Sequence, residues 1–193
     1  MVPPSRRQAE FEDLAACDDP DRLEIIDGEI VEKAAPSADH SWSETRLVEA
    51  VGPFNRKPGG RGPGGWWIFT ELHVAYPGGE LYCHDVAGWR RDRVPVRPTG
   101  WPVQLRPDWV CEIVSPKHEQ QDLVVKPRVL HAAEVPHYWV VDPEEQILLV
   151  HRWSPGGYIV VQCAAAGETV RPEPFDAIEL RVGVLFGDED DDD

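Results

Sequence analysis

Apolar positions recur along the chain with two different periods, and each change of period marks an element. In "RLEIIDGEIVEK" (22–33) two short apolar-rich runs flank Asp27-Gly28, a dipeptide that accepts the positive φ of a tight turn, so the segment predicts a β-hairpin. "PSADHSWSETRLVEAV" (36–51) switches to helical spacing behind three N-cap candidates, Ser37, Asp39 and Ser41. Ser41 and Glu44 have the separation of a capping box, and a helix over about 39–51 is predicted. "WWIFTELHVAY" and "ELYCHDVAGW" read as strands around a Pro77-Gly78-Gly79 turn. After them come a strand in "DWVCEIVS" (108–115), a helix in "DLVVKPRVLHAAEV" (122–135), a strand in "HYWVVD" (137–142) and a hairpin in "QILLVHRW" with "GYIVVQC". Strand, helix, strand implies a crossover and some parallel pairing, and hence an α/β (mixed α+β) fold: a mixed central sheet flanked by helices, with additional β-hairpins. The 193 residues suit one domain over 21–187, preceded by a peripheral segment (1–20) with a short helical pattern at 6–16 and followed by an acidic tail (188–193) expected to be disordered.

Several charges fall on stripes that should be apolar, where an unsatisfied charge costs several kcal/mol. On the first long helix Glu44 shares its face with Leu47, Val48 and Val51, and His40 lies one turn earlier. On the later helix Lys126 shares its face with Val129, Leu130 and Ala133, with Asp122 one turn before it. In the strands, period two groups Glu112 with Val110 and Val114, and Asp85 with Leu81, Cys83 and Ala87. If those strands are neighbours, Asp85 and Glu112 can converge on a divalent cation through oxygen ligands, with water completing the shell as magnesium prefers. A lysine beside them would complete a hydrolytic site. Pro127 either marks the helix start or re-aims Lys126, because it forbids one backbone hydrogen bond.

Composition narrows the classes. No apolar run approaches the roughly 20 residues of a bilayer crossing, and the start of the chain shows no apolar leader, so a soluble, cytoplasmic protein is expected. Cys17, Cys83, Cys111 and Cys163 lie far apart without a CxxC pair and read as reduced thiols. A Cys–His hydrolase is excluded because Cys83 and Cys111 fall inside strands with no base in place. The formal net charge of -16 argues against a broad basic surface; removing the terminal "DEDDDD" takes it to -10, and residues 90–106 hold five arginines against one aspartate. The Pro-rich stretch 94–107 reads as a long connection, not an element.

"LEIIDGEIVE", "PSADH" at the head of a helix, the isolated aspartate of "HDV", "RPDWVCEIVSP" and "DLVVKPRVLHAAEVPHYWVVDP" together resemble, in order, the Uma-two-type endonucleases of the PD-(D/E)XK superfamily, over roughly residues 22–153. The resemblance implies a restriction-endonuclease-like core and a magnesium-dependent endonuclease (manganese as a substitute) acting on DNA. Carried over, Asp85 and Glu112 are the metal-binding acids, Glu44 the helix glutamate that joins them, and Lys126 the catalytic lysine, moved from the strand to the following helix; the usual strand position holds Val114. His40 and Asp108 would stand behind the metal ligands. Where the pattern has proline before the first acid, this chain has His84. Arg90, Arg91, Arg93, Arg97 and Lys117 would meet phosphates, and a homodimer would suit two-strand cleavage. The competing expectation is a degenerate nuclease fold that serves as a protein-interaction module through its acidic surface.

Overall fold

The computed structural model describes residues 9–116 and 121–189. A short helix α1 (Phe11–Ala15) sets Leu14 against Ile25 and Leu81 in a small cluster of its own. The hairpin of β1 (Leu23–Ile26) and β2 (Glu29–Glu32) turns at Asp27 and Gly28, with φ of +53° and +75°, the positive values that both central positions of such a turn require. Helix α2 (Ala38–Val51) begins one turn earlier than the Ser41–Glu44 box implies. Ser37 is the N-cap, its hydroxyl accepting from His40 N–H at 3.1 Å, so Ser41 lies inside the helix.

Strands β3 (Trp66–Ala75) and β4 (Leu81–Arg90) pair along their whole length around Gly78 and Gly79. β5 (Trp109–Ile113) runs antiparallel to β4 and parallel to β6 (His137–Asp142), with the crossover helix α3 (Lys126–Ala132) between them. β7 (Ile147–Arg152) and β8 (Ile159–Ala165) complete a mixed sheet of order β2-β1-β4-β5-β6-β7-β8, with β3 on the other edge of β4. Residues 94–107 form no strand among themselves, yet Val103 bonds to His73 and Ala75, so the Pro-rich connection lies along β3.

The sheet has a core on each face. On one, α2 contributes Leu47 and Val51 to a layer with Val86, Trp109, Cys111, Ile113 and Trp139. This face is finished by a segment whose hydrophobic pattern carries no periodic signal: β9 (Thr169–Val170), β10 (Leu180–Arg181) and a 3₁₀ turn (Val182–Phe186). It packs Phe175 against the touching rings of Trp109 and Trp139, at ring-centroid distances of 4.7 and 5.6 Å, and takes hydrogen bonds from Ser43 and Trp42 of α2. On the other face α3 packs Leu130 against Ala87, Trp89, Val110, Val114 and Val140. A π-helical turn (Gln121–Val125) leads directly into α3, and Pro127 stands in the first turn of α3, at the junction of the two. Lys126 beside it points inward, 2% exposed. No helix among the described residues is long and apolar enough to cross a membrane.

Candidate active site

β3 occupies one edge of β4 from Leu81 to Arg90, so β1 and β5 necessarily share the other. β1 pairs there at Leu81 and β5 at Val86–Gly88; between them the sheet forks. Two backbone donors at the fork are met by carboxylates instead of strand carbonyls. Cys83 N–H donates to Glu24 Oε1 at 2.9 Å, and Ile113 N–H donates to Asp85 Oδ2 at 2.6 Å. An unpaired buried donor would be costly, so these acids replace the missing strand.

The alternation of β4 breaks at the same place. Tyr82 packs in one layer with Ala87 and Trp89 while Val86 packs in the opposite one, which strict period two forbids. The grouping of Asp85 with Leu81, Cys83 and Ala87 is thereby corrected: Leu81 joins the small cluster near α1, Ala87 faces α3, and Asp85 turns toward α2. The break lies across from the stretch of β3 that holds Glu71, a non-glycine residue at φ +47°. Glu112 keeps the expected company of Val110 and Val114, on the side of α3. The two acids thus approach from opposite faces and meet in the fork, where they line one small cavity with Glu24, Lys33, His40, Asp122 and Lys126. Its volume is about 20 Å³, room for roughly one water-sized occupant.

Each acid has a distinct electrostatic setting. Asp85, 1% exposed, has Lys33 Nζ 2.7 Å from Oδ1 and His40 Nε2 3.3 Å from Oδ2. Burial disfavours its charge, but the hydrogen bond from His40 and the charge of Lys33 win, holding its carboxyl below the ordinary range. Glu112 is pushed the other way, up to about 8, by burial that Lys126 only partly offsets. Its Oε2 accepts from Lys126 Nζ at 3.1 Å and its Oε1 is hydrogen-bonded to His84 Nδ1. His84 is fully buried and its pKa is pushed down to about 3, by burial first and Lys126 second, so it is neutral, with its other nitrogen 2.6 Å from the Tyr76 hydroxyl. Two carboxyls whose ionisations are driven apart within one cavity are the arrangement that acid–base chemistry uses.

Lys126 Nζ lies 3.1 Å from Glu112, 3.2 Å from Glu24 and 3.2 Å from Asp122. An ammonium has three donors, and three carboxylates surround this one. Burial opposes its charge, but Glu112, Glu24 and Asp122 together raise its pKa. Glu44 is half-buried on α2 and outside the cavity lining; burial, then the charges of Glu71 and Asp85, raise its pKa. Among the described residues no three His, Cys, Asp or Glu side chains are grouped to hold an ion together. A cation here would take Asp85 and Glu112 plus water, a hard-oxygen set that suits magnesium. Asp85 Oδ1 fits that use, being buried with no aligned hydrogen-bond donor despite the nearby ammonium.

The arginines expected to meet phosphates stand elsewhere. Arg90 ends β4, five residues beyond Asp85, roughly 17 Å along an extended strand. Arg90 pairs with Asp92, Arg93 with Asp108, and Arg91 donates to the Trp66 carbonyl while stacking over Trp67; Arg97 is exposed in the same connection. None of the four lines the cavity. Asp108, which also accepts from Arg90 N–H, fastens this connection to β5. Lys117 lies outside the described residues.

The family model of Uma2, described as "Putative restriction endonuclease", matches residues 8–183. The chain belongs to the Uma2 family. No curated protein matches it. Among solved structures it is similar to a protein described as "a putative nuclease belonging to DUF820" from Anabaena variabilis ATCC 29413, at 22% identity and a TM-score of 0.67, over 85% of this chain and 89% of that one. At that identity the likeness is one of fold. Two residues of this Uma2 cavity escaped the sequence reading. Lys33, one position past β2, gives no periodic signal. Glu24 does, since it interrupts the apolar run of β1, whose last three residues are all buried. A third, Asp122, was visible only as a neighbour of Lys126 on a helix face.

Proposed function

We propose that the fork between β1 and β5 is a magnesium-dependent centre that hydrolyses phosphodiester bonds of DNA. The observation that carries this reading is the convergence of two buried carboxylates, Asp85 and Glu112, from opposite faces of the sheet, with Lys126 held against one of them. Family membership adds the reaction class. Asp85 and Glu112 would hold the ion, with Glu44 adding negative charge from α2. Bound magnesium, or manganese in its place, would supply a water of lowered pKa and neutralise charge on the phosphate. The chain's own residues do the rest. Ile113 N–H and His40 fix Asp85 Oδ2, and His84 and Lys126 each fix one oxygen of Glu112, so both acids are aimed before substrate arrives. Lys126 also favours the ionised form of Glu112. Two centres in a homodimer would serve the two strands of a duplex.

The test is cleavage of plasmid and single-stranded DNA with magnesium or manganese, alongside calorimetric titration with Mn²⁺. Asp85→Asn and Glu112→Gln are expected to abolish cleavage and weaken Mn²⁺ binding while the fold persists. Wild-type protein that neither cleaves nor binds Mn²⁺ refutes the reading. A second reading, a non-catalytic interaction module, is favoured by one observation: Lys33 and Lys126 already neutralise the acids without any ion. That refuting outcome is the one this second reading expects.

A further inference from the structure

Resting on the reading just proposed, we infer that Lys33 is an internal cation that a metal ion must displace from Asp85, so that this lysine sets the metal affinity of the site. The Lys33 ammonium stands 2.7 Å from Asp85 Oδ1. That oxygen is buried, has no aligned hydrogen bond, and faces the cavity that Glu112 also lines. Magnesium binds carboxylate oxygen at about 2.0–2.1 Å, which would set a divalent ion within about 5 Å of an ammonium that is itself 2.7 Å from the same oxygen, and like charges that close repel strongly. Binding is therefore an exchange, divalent ion in and ammonium out.

Lys33 is built to leave. Its side chain is 15% exposed, against 3% for Lys126, and its second partner is Glu71 Oε2 at 2.8 Å, on a side chain 48% exposed. By turning outward on its flexible stem, Lys33 keeps an ion pair with Glu71 while releasing Asp85. Lys126 has no such exit, because its three partners are Glu24, Asp122 and Glu112, all buried. His40 does not compete either, since it bonds to the other oxygen of Asp85. The two lysines thus divide the work: Lys126 belongs to the frame, and Lys33 holds the place of the ion.

Calorimetric titration with Mn²⁺ of wild type, Lys33→Met and Lys33→Gln tests this. Removing the competitor is expected to tighten Mn²⁺ binding about tenfold or more, from the loss of a cation within contact distance. Equal affinity in all three, or weaker binding in the variants, overturns the exchange while leaving the metal reading intact; no Mn²⁺ binding by any of them sinks both. A second measurement needs no variant. In wild-type protein, reductive methylation followed by mass spectrometry is expected to leave Lys33 protected without metal and to label it once Mg²⁺ is added. Protection that persists at saturating Mg²⁺ refutes the exchange.

Discussion

Lys126 shows how one side chain can hold a cluster together. Replacing it with methionine leaves Glu112, Glu24 and Asp122 buried without their shared cation. Breaking a buried pair from one side costs about 3–5 kcal/mol, and Lys126→Met should lose stability on that scale in urea denaturation, whatever happens to activity. Asp122 provides a pH test. Burial, opposed by Lys126, raises its pKa from the ordinary 3.8 to about 7. The folded chain therefore keeps a proton that the unfolded chain has released between about pH 4 and 7. The contribution is complete below 3.8 and lost as pH rises through 7, so stability falls in that window. Glu112, raised to about 8, acts in the same direction. Denaturation midpoints at pH 5, 6 and 7 should show a shallower decline for Asp122→Asn than for wild type; parallel slopes would contradict the assignment.

At the scale of elements, what could be read in advance was what has a local pattern. The hairpin at Asp27-Gly28, the helix of Glu44, the strands of Asp85 and Glu112 and the parallel crossover follow from turn chemistry, helical spacing and short apolar runs bounded by turn residues. The break of alternation at Asp85 was not legible, since it arises from the divergence of β1 and β5, a tertiary event without a local signature. The same holds for the segment around Phe175, whose short pieces bury themselves by packing onto a cluster of tryptophans. The start of α2 falls within one residue of the spacing's prediction, 38 against about 39, although of the three candidate caps it is Ser37 and not the Ser41–Glu44 box that closes it. Ser37 succeeds and so fixes the turn that carries His40 to Asp85. Ser37→Ala should cost about 1 kcal/mol, checked by thermal denaturation, and should disturb Asp85 less than Lys126→Met disturbs Glu112.

For the molecule as a whole, the cavity gathers four acids and two lysines, so most of the net charge of -16 lies outside it. The inward acids could be found from sequence because a carboxylate on an apolar stripe is conspicuous. Lys33, at a strand end, could not, and neither could the separation between the arginine-rich connection and the fork, which depends on which end of β4 each occupies. The fork has one more consequence. Wherever a sheet is fully paired, its amide protons exchange with solvent only when strands come apart. Cys83 and Ile113 are tied to the side chains of Glu24 and Asp85 instead. Their exchange is therefore expected to follow the chemistry of the cavity and not the opening of the sheet. In hydrogen–deuterium exchange by NMR, added Mn²⁺ or Mg²⁺ should change the protection of these two amides while that of Val110 and Val140, deep in paired strands, stays constant.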